Sequence, residues 1–414
     1  MLALHTSPLA ALGGRETGGM NVYVRHVARE LARAGVEVDV FTRRIDPLAP
    51  EVVALDPEVG EGRARLVHVT AGPAERLEKE ALPPLVEEFA AGVYAFAQRA
   101  GRAYDVVHSH YWLAVAAGAL LAPRWGVPHV AMFHTLGDVK LRARASEREP
   151  AVRLDAERRL VHEVDCIVAG TEHERQLLRQ LYRVSPARVR VIPLGVDREQ
   201  FRPRDRDAAR AAVGLPPGVP PRAPLVLAVG RLEPLKGLDI LIAALAEMTV
   251  RDAQLLIVGG DERAVAEVAR LRAVAVGAGV AERVHFLGAV PHEALPAYYN
   301  AADIVAVPSF YESFGLVAVE ALASGVPVVA SRVGGLTTTV ADGRTGYLIP
   351  WRCPGPFAEK LDLLFGNPAL RAALGRAGAE AMGPFAWPAI AAALRELFTT
   401  PAATEPVSLA AGDA

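Results

Sequence analysis

The sequence has 414 residues, of which 51% are hydrophobic, and a formal net charge of -2. A chain of this length exceeds one ordinary core and predicts two or three domains, which the hydrophobic content is ample to bury. The balanced charge argues against a nucleic-acid partner, and the sequence has no run of eighteen apolar residues that would predict a membrane span.

The first residues, MLALHTSP, lack the charged and apolar regions of a signal peptide. The two cysteines, Cys166 and Cys353, are far apart in sequence, so a disulfide framework is not expected. We therefore expect a soluble, cytoplasmic protein.

The first half of the chain alternates strands and helices. Strands are predicted at residues 1–5, 36–42, 65–70, 105–110, 129–134 and 166–170, and helices at 20–34, 80–101, 113–122 and 151–163. Apolar strands separated by helices predict a parallel sheet that is covered on both faces.

The composition changes at residues 202–224, which are charged and then rich in proline, and we place an interdomain linker there. A second alternating series follows. Its predicted strands are 225–230, 255–260, 284–288, 303–309 and 327–331. One predicted helix begins near Gly237, a second ends near Val276, a third contains Glu320 and a fourth covers 384–398.

The predicted fold class is α/β, with two Rossmann-like, doubly wound domains that face a central cleft. Ligands are expected in that cleft, at the carboxyl ends of the strands. We assign residues 1–200 to the first domain and 201–385 to the second, and we expect the small and polar residues 401–414 to be disordered.

The segment ESFGLVAVE contains two glutamates, Glu312 and Glu320, where a loop enters a helix near Leu316. The free N–H groups at a helix start form a partly positive pocket that suits phosphate, and Gly315 allows a ligand close approach. Carboxylates accept hydrogen bonds from sugar hydroxyls, so the segment is compatible with a nucleotide sugar. The spacing alone equally fits a capped helix that carries two solvated acids.

Two further segments suit a diphosphate. Gly18 and Gly19 directly precede a helix, so bare backbone faces a helix dipole. Arg231 and Lys236 lie on a strand-to-helix turn, GRLEPLKG, where cations can oppose the charge that grows on a departing phosphate and lower the barrier by about 2.7–4 kcal/mol for one such donor. An ordinary ion pair at a helix start is the alternative interpretation.

Lysine is scarce, since only Lys79, Lys140, Lys236 and Lys360 occur among the 45 basic residues. A compact ammonium group binds phosphate as a point charge, which makes these lysines candidate phosphate ligands. Chance alone also explains the presence of four lysines.

Histidines also stand near predicted strand ends. His108 and His110 share one face of a strand, but zinc sites need three or four protein ligands and no third one has convincing spacing. His134 ends a predicted strand and is the better candidate for a residue that faces the cleft.

The sequence resembles the retaining glycosyltransferases of GT-B architecture (group 1, family 4), which include the sucrose-phosphate synthases. The resemblance lies in six segments: HTSP, GGMNVYV, HSHYW, FHTL, VGRL and the E-x7-E segment. Within that family they are similar to the D-inositol 3-phosphate glycosyltransferases of mycothiol biosynthesis. The likeness extends to about residue 398, and it implies that a helix over 386–400 crosses back onto the first domain.

The resemblance implies transfer of a sugar, N-acetylglucosamine, from a UDP-sugar donor to a phosphorylated polyol such as 1D-myo-inositol 3-phosphate. It implies no cofactor for catalysis, a structural magnesium on the backbone near Tyr299, Asn300 and Ala302, and a homodimer.

The resemblance also assigns site residues. Catalytic roles fall on His134, Arg231, Lys236 and Glu312, with Glu312 on the transferred sugar and Glu320 on the ribose. The donor-binding set is Gly18, Gly19, Arg231, Lys236, Val290, Glu312, Ser313, Phe314, Gly315, Leu316 and Glu320. The acceptor-binding set is His5, Thr17, Met20, Asn21, Lys79, Tyr111, Thr135 and Arg153, of which Lys79, Tyr111, Thr135 and Arg153 hold the acceptor phosphate.

Two alternatives stay open. The same fold could use fructose 6-phosphate as acceptor, as sucrose-phosphate synthases do, although those enzymes usually carry GGQ where this sequence has GGMNVYV. A non-catalytic nucleotide-sugar-binding protein or a GT-B epimerase would not need a separate acceptor pocket.

Overall fold

The computed structural model describes residues 1–10, 18–56, 62–143, 148–260, 264–350 and 353–399. Thr17 and the tail at 401–414, for which we predicted disorder, lie outside the described residues.

The strands of the first half form two groups. They are β1 (Val38–Arg43), β2 (Val52–Ala54), β3 (Ala64–Val69), β4 (Val107–His110), β5 (His129–Met132), β6 (Cys166–Ala169) and β7 (Val189–Val191). The groups pair in the orders β1-β3-β2 and β4-β5-β6-β7, and among the described strands of this half only the β2–β3 pair is antiparallel. Leu2 forms parallel bridges to Phe41 of β1 and Ser109 of β4, which connects the two groups.

The predicted strand over residues 1–5 is wrong in its length. The N–H of Leu2 donates to the carbonyl of His108 at 2.8 Å and that of Ala3 to the carbonyl of Phe41 at 2.9 Å. The chain then turns at Leu4, so only Leu2 has the paired geometry of a strand.

The helices of the first half cover its sheet. They are α1 (Gly19–Arg33), α2 (Val86–Arg99), α3 (Trp112–Trp125), α4 (Gly137–Ala143), α5 (Ala151–Glu163) and α6 (Glu172–Tyr182). α2 begins later than the predicted residue 80, because Pro83 and Pro84 lie in a short 3-10 turn and proline is unsuited to a helix interior.

The second half contains one parallel sheet of six strands in the order β10-β9-β8-β11-β12-β13. The strands are β8 (Leu225–Val229), β9 (Gln254–Val258), β10 (Val284–Gly288), β11 (Ile304–Val307), β12 (Val328–Ser331) and β13 (Gly346–Ile349). The chain order reverses between the neighbours β8 and β11, and ligands bind α/β sheets at the carboxyl ends of such strands. The predicted GRLEPLKG and E-x7-E segments directly follow these two strands.

The remaining helices pack on this sheet or return to the first half. They are α7 (Arg206–Val213), α8 (Leu238–Glu247), α9 (Val265–Gly277), α10 (Leu295–Ala301), α11 (Leu316–Ala323), α12 (Leu336–Thr339), α13 (Pro354–Gly366), α14 (Pro368–Ala381) and α15 (Trp387–Thr399).

Part of the predicted linker is a helix rather than an open connection. α7 packs against α10, and the buried Arg210 donates to the carbonyl of Ala301 at 2.9 Å and to the Asp303 carboxylate at 3.0 Å. These bonds fix residues 206–213 to the second half. The domain boundary near residue 200 stays a prediction.

α15 packs against α1 of the first half. The buried Trp387 stacks on the ring of His26 with centroids 5.0 Å apart. A methyl group at Gly195 would come within 2.5 Å of the Trp387 ring, so the absence of a side chain there admits the indole. Among the described helices, none is long and apolar enough to cross a membrane.

Candidate active site

One cavity of about 310 Å³ lies between the two halves. The predicted site residues that line it are His5, Gly18, Gly19, Met20, Asn21, Lys79, Tyr111, His134, Thr135, Arg153, Arg231, Lys236, Val290, Glu312, Ser313, Phe314, Gly315, Leu316 and Glu320. The structure therefore brings every predicted donor and acceptor residue that it describes to one place. Their individual roles stay predictions.

The start of α11 forms part of the cavity wall. Gly315 caps this helix with φ 95°, in the left-handed region that favours glycine. A methyl group added at Gly315 would lie 2.8 Å from Leu336 Cδ2, so both the backbone conformation and the short distance to Leu336 require glycine. The first N–H groups of α11 are thus presented at a wall suited to an anion.

The glycine loop of the first half lies against the second half. A methyl group added at Gly19 would come within 2.9 Å of Leu316 Cδ1, and one added at Gly18 would lie 4.0 Å from Arg231 Nε. The small residues therefore let the start of α1 approach the cations of the opposite half.

Two cations follow β8. Lys236 Nζ donates to Glu312 Oε2 at 2.7 Å, and the side chains of this pair are 21% and 17% exposed. Arg231 pairs with Glu233 at 3.0 Å. The ammonium of Lys236 and the carboxylate of Glu312 thus form one unit, in which a group that can bind a phosphate lies beside a group that can accept a hydrogen bond from a hydroxyl.

Glu320 is held by two partners inside the second half. Tyr299 OH donates to Glu320 Oε2 at 2.7 Å, and His292 Nε2 lies 2.8 Å from Glu320 Oε1. Burial works against a charge on His292, but the Glu320 carboxylate outweighs burial and raises the pKa of His292 above 6.5. Each carboxylate oxygen has a second lone pair, so Glu320 can also accept from a ligand hydroxyl.

On the opposite wall, Arg153 is buried and almost fully bonded. Its Nε donates to Glu157 Oε1 and its Nη1 to Glu149 Oε2, both at 2.7 Å. Its Nη2 donates to the carbonyl and the hydroxyl of Thr135 at 3.0 and 3.1 Å, and the guanidinium lies 5.0 Å from the centre of the Tyr111 ring. Arg153 therefore fixes Thr135 and Tyr111 as well as adding positive charge.

Glu149 bridges two cations of this wall. Its second carboxylate oxygen pairs with Lys140, which also lines the cavity. Lys79 is the other cation here, with Nζ 5.7 Å from the centre of the Tyr111 ring. The wall thus groups three cations and two hydroxyls with the carboxylates of Glu149 and Glu157, and its cations and hydroxyls are groups that can bind a phosphate.

His134 lies just after β5 with φ 60°, a left-handed conformation that is uncommon outside glycine. Its Nε2 lies 3.1 Å from Nδ1 of the fully buried His110, and the edge of the Tyr23 ring packs against both. Burial lowers the pKa of His134 to about 3, so the ring is neutral at pH 7 and can exchange hydrogen bonds without charge.

Asn21 has a structural role that its motif did not suggest. Its amide donates to Thr6 Oγ1 at 3.0 Å and to the carbonyl of Ser7 at 2.6 Å, and its Oδ1 accepts from the N–H of Gly18 at 3.2 Å. Asn21 therefore ties the HTSP loop to the start of α1.

Three charged or titratable residues in the cavity wall were not assigned to the donor or acceptor site by the sequence analysis: Lys140, Glu174 and His292. Lys140 had a signal, because it is one of the four lysines. Glu174 follows Thr171 in a T-x-x-E pattern that indicates a helix start, and His292 had no sequence signal.

The magnesium site near Tyr299, Asn300 and Ala302 stays a prediction. The carbonyl of Tyr299 accepts the N–H of Ala302 at 3.1 Å, and the Asn300 amide donates to Arg202 and Pro296 carbonyls. In the described part of the chain, no group of three or more His, Cys, Asp or Glu side chains is arranged to hold a metal ion.

Two family models match the chain, one for each half. Glycosyltransferase Family 4 matches residues 17–200, and Glycosyl transferases group 1 matches residues 216–381. Together with two α/β units that flank one cavity, they define a glycosyltransferase of GT-B fold. The chain belongs to the group 1, family 4 glycosyltransferases and is an enzyme of that class.

Its relatives among curated proteins narrow the class. A D-inositol 3-phosphate glycosyltransferase 2 of Catenulispora acidiphila is 42% identical over 409 residues, covering 96% of this chain and 94% of the relative. A D-inositol 3-phosphate glycosyltransferase of Corynebacterium efficiens is 42% identical over 406 residues, with the same coverage.

Solved structures have the same fold. Sucrose-phosphate synthase from Thermosynechococcus elongatus matches with a TM-score of 0.86 and 36% identity, covering 96% of this chain and 97% of that one. Anabaena HepE in complex with UDP and glucose matches with a TM-score of 0.74 and 20% identity, covering 96% and 99%.

Proposed function

We propose that the enzyme is a retaining glycosyltransferase that moves N-acetylglucosamine from UDP-N-acetylglucosamine to 1D-myo-inositol 3-phosphate. The observation that carries this proposal is the pairing of two different anion-binding walls across one cavity. One wall has the Lys236–Glu312 unit and the start of α11, and the other groups Lys79, Thr135 and Arg153. The relatives that are 42% identical have this acceptor in their names.

The donor would bind on the wall of the second half. Glu320 would accept from the ribose hydroxyls, the N–H groups at the start of α11 and the cations Arg231 and Lys236 would face the diphosphate, and Glu312 would accept from a sugar hydroxyl. These assignments agree with the chemistry of each group.

The reaction needs no protein nucleophile. The bond between the anomeric carbon and the β-phosphate oxygen breaks, and the acceptor oxygen bonds to that carbon on the same face. The proton of the acceptor hydroxyl passes to the departing phosphate oxygen. Lys236 and Arg231 stabilise the negative charge that grows on this oxygen, and the acceptor phosphate aligns the hydroxyl, so catalysis consists of positioning and electrostatics.

The test is a matrix of donors and acceptors. UDP-N-acetylglucosamine and UDP-glucose are each incubated with inositol 3-phosphate, fructose 6-phosphate and free inositol, products are detected by mass spectrometry, and the anomeric configuration is read by NMR. We expect the product of UDP-N-acetylglucosamine and inositol 3-phosphate with the donor configuration retained. Equal use of free inositol and its phosphate would refute the acceptor pocket, and an inverted product would refute the same-face reaction.

Fructose 6-phosphate is the second candidate acceptor. It is favoured by the match to a sucrose-phosphate synthase at 36% identity and a TM-score of 0.86. The same matrix separates the two acceptors, because each is incubated separately with both donors.

A further inference from the structure

His292 is a cavity residue that lies outside both sequence motifs of the second half. It starts a 3-10 turn (His292–Ala294) before α10, and its ring reaches Glu320 on the neighbouring α11, at 2.8 Å. Its side chain is 12% exposed and that of Glu320 is 7% exposed, so water screens their interaction only weakly.

The position of the His292 ring is fixed from outside the cavity as well. The carbonyl of His292 accepts from Gln200 Nε2 at 3.2 Å, and the Phe201 ring packs on the imidazole with centroids 5.2 Å apart. Tyr299 holds the other oxygen of Glu320 at 2.7 Å. The carboxylate is therefore clamped between an imidazole and a phenol and cannot rotate freely.

We infer that His292 is a positioning residue for the donor: with Tyr299 it directs the Glu320 carboxylate toward the ribose, and its positive charge offsets that of the carboxylate. The inference rests on the proposed function, because it assumes that a UDP-sugar occupies this wall. An uncompensated carboxylate at this place would repel the anionic diphosphate, so a neutral His292 should weaken donor binding.

The charged and titratable groups around His292 allow this effect to be isolated. Glu320 of α11 faces it and raises its pKa above 6.5. On α1, Arg25 pairs with the exposed Glu293 at 3.7 Å, and burial lowers the pKa of His26 to about 3. His26 therefore stays neutral near neutral pH, and His292 is the imidazole of this group whose charged form the neighbouring carboxylate favours.

The test is the affinity for UDP-N-acetylglucosamine, measured by calorimetry between pH 6 and 8.5. This donor is a suitable probe because its diphosphate, esterified at both ends, does not gain or lose protons in this range. In the parent we expect the affinity to fall as pH rises. If donor binding raises the pKa of His292 by one unit, the affinity falls by at most roughly tenfold. His292→Gln can still donate a hydrogen bond but carries no charge, so its affinity should depend on pH less than that of the parent does. Glu174 also lines the cavity, and burial raises its pKa to about 7, so Glu174→Gln and the double variant with His292→Gln are measured in parallel to subtract its contribution.

Two further variants complete the design. His292→Ala should bind the donor more weakly than His292→Gln, because it loses the hydrogen bond as well as the charge. His285→Gln is the matched control, since His285 bonds the Gln254 side chain at 2.9 Å in the same half and does not line the cavity. It should retain the pH dependence of the parent.

The outcomes separate the inference from the function on which it rests. If the parent binds the donor and His292→Gln keeps the same pH dependence, His292 does not compensate Glu320 and the inference is wrong while the function stands. If the parent binds UDP-glucose and UDP-N-acetylglucosamine no better than it binds free N-acetylglucosamine, the donor assignment itself fails and the inference fails with it.

Discussion

Removing the Lys236 ammonium should mainly slow the chemical step. Lys236 pairs with Glu312 at 2.7 Å, and the negative charge on the departing phosphate is larger in the transition state than in the bound donor. The ammonium therefore contributes more to the transition state than to the bound donor. We expect Lys236→Ala to lower kcat by about 100- to 1000-fold, which corresponds to about 2.7–4 kcal/mol for one such donor, and to change donor affinity much less.

The stability of the fold should hardly change. The Lys236–Glu312 pair is partly exposed, and ion pairs of this kind contribute roughly 0–1 kcal/mol to folding. Lys360→Ala is the matched control, because Lys360 pairs with the exposed Glu359 at 2.8 Å outside the cavity. It should retain the kcat of the parent.

The assay combines steady-state kinetics, which give kcat and KM, with calorimetry of donor binding on the same preparations. Melting curves confirm that each variant is folded. A variant with unchanged kcat and a raised KM would contradict the reasoning, since it would mean that Lys236 binds the ground state and the transition state equally.

Three other predictions concern the carboxylates and Arg153. Glu320→Gln should weaken the binding of UDP itself, whereas Glu312→Gln should bind UDP like the parent and turn over more slowly; calorimetry and kinetics distinguish them, and equal UDP affinity in both variants would refute the ribose assignment. Arg153→Ala should lower the free energy of unfolding by about 3–5 kcal/mol, because it removes the cation shared by two buried carboxylates, Glu149 and Glu157. Denaturant titration measures this loss, and a loss below about 1 kcal/mol would contradict the prediction. Burial raises the pKa of Glu174 from 4.5 to about 7, so folding favours its neutral form, and the associated stability is present below pH 4.5 and lost as pH rises through 7. Glu174→Gln should therefore raise the free energy of unfolding by up to about 3 kcal/mol at pH 8 and hardly at pH 4, and an equal gain at both pH values would contradict the burial argument.

The sequence predicted the general location of the site because its strongest signals are local. Gly315 and the two glutamates mark a loop that enters a helix, and the alternation of apolar strands with helices places such loops at the carboxyl ends of strands. The residues on the first wall, such as Lys79 and Arg153, come from separate segments, and only the likeness to a family brought them together.

Contacts between distant segments could not be predicted. His292 lies in the segment PHEAL, which has no recognisable pattern, and its partner is 28 residues away on another helix. The helix α7 was hidden by the charged and proline-rich composition around it, although burial of Arg210 against Asp303 fixes it in place. In both cases tertiary contacts determine the outcome, and these have no period or spacing in the sequence.

The return of α15 to the first half determines how this enzyme could be recombined with its relatives. A hybrid that joins residues 1–200 of this enzyme to the second half of a relative would also replace Trp387, which stacks on His26 of α1. A foreign side chain would then have to fill the space over Gly195 that the indole occupies. If the donor binds the second half as proposed, exchange of donor specificity between such enzymes should therefore transplant residues 201–385 as an internal segment and keep residues 387–399 from the enzyme that supplies residues 1–200.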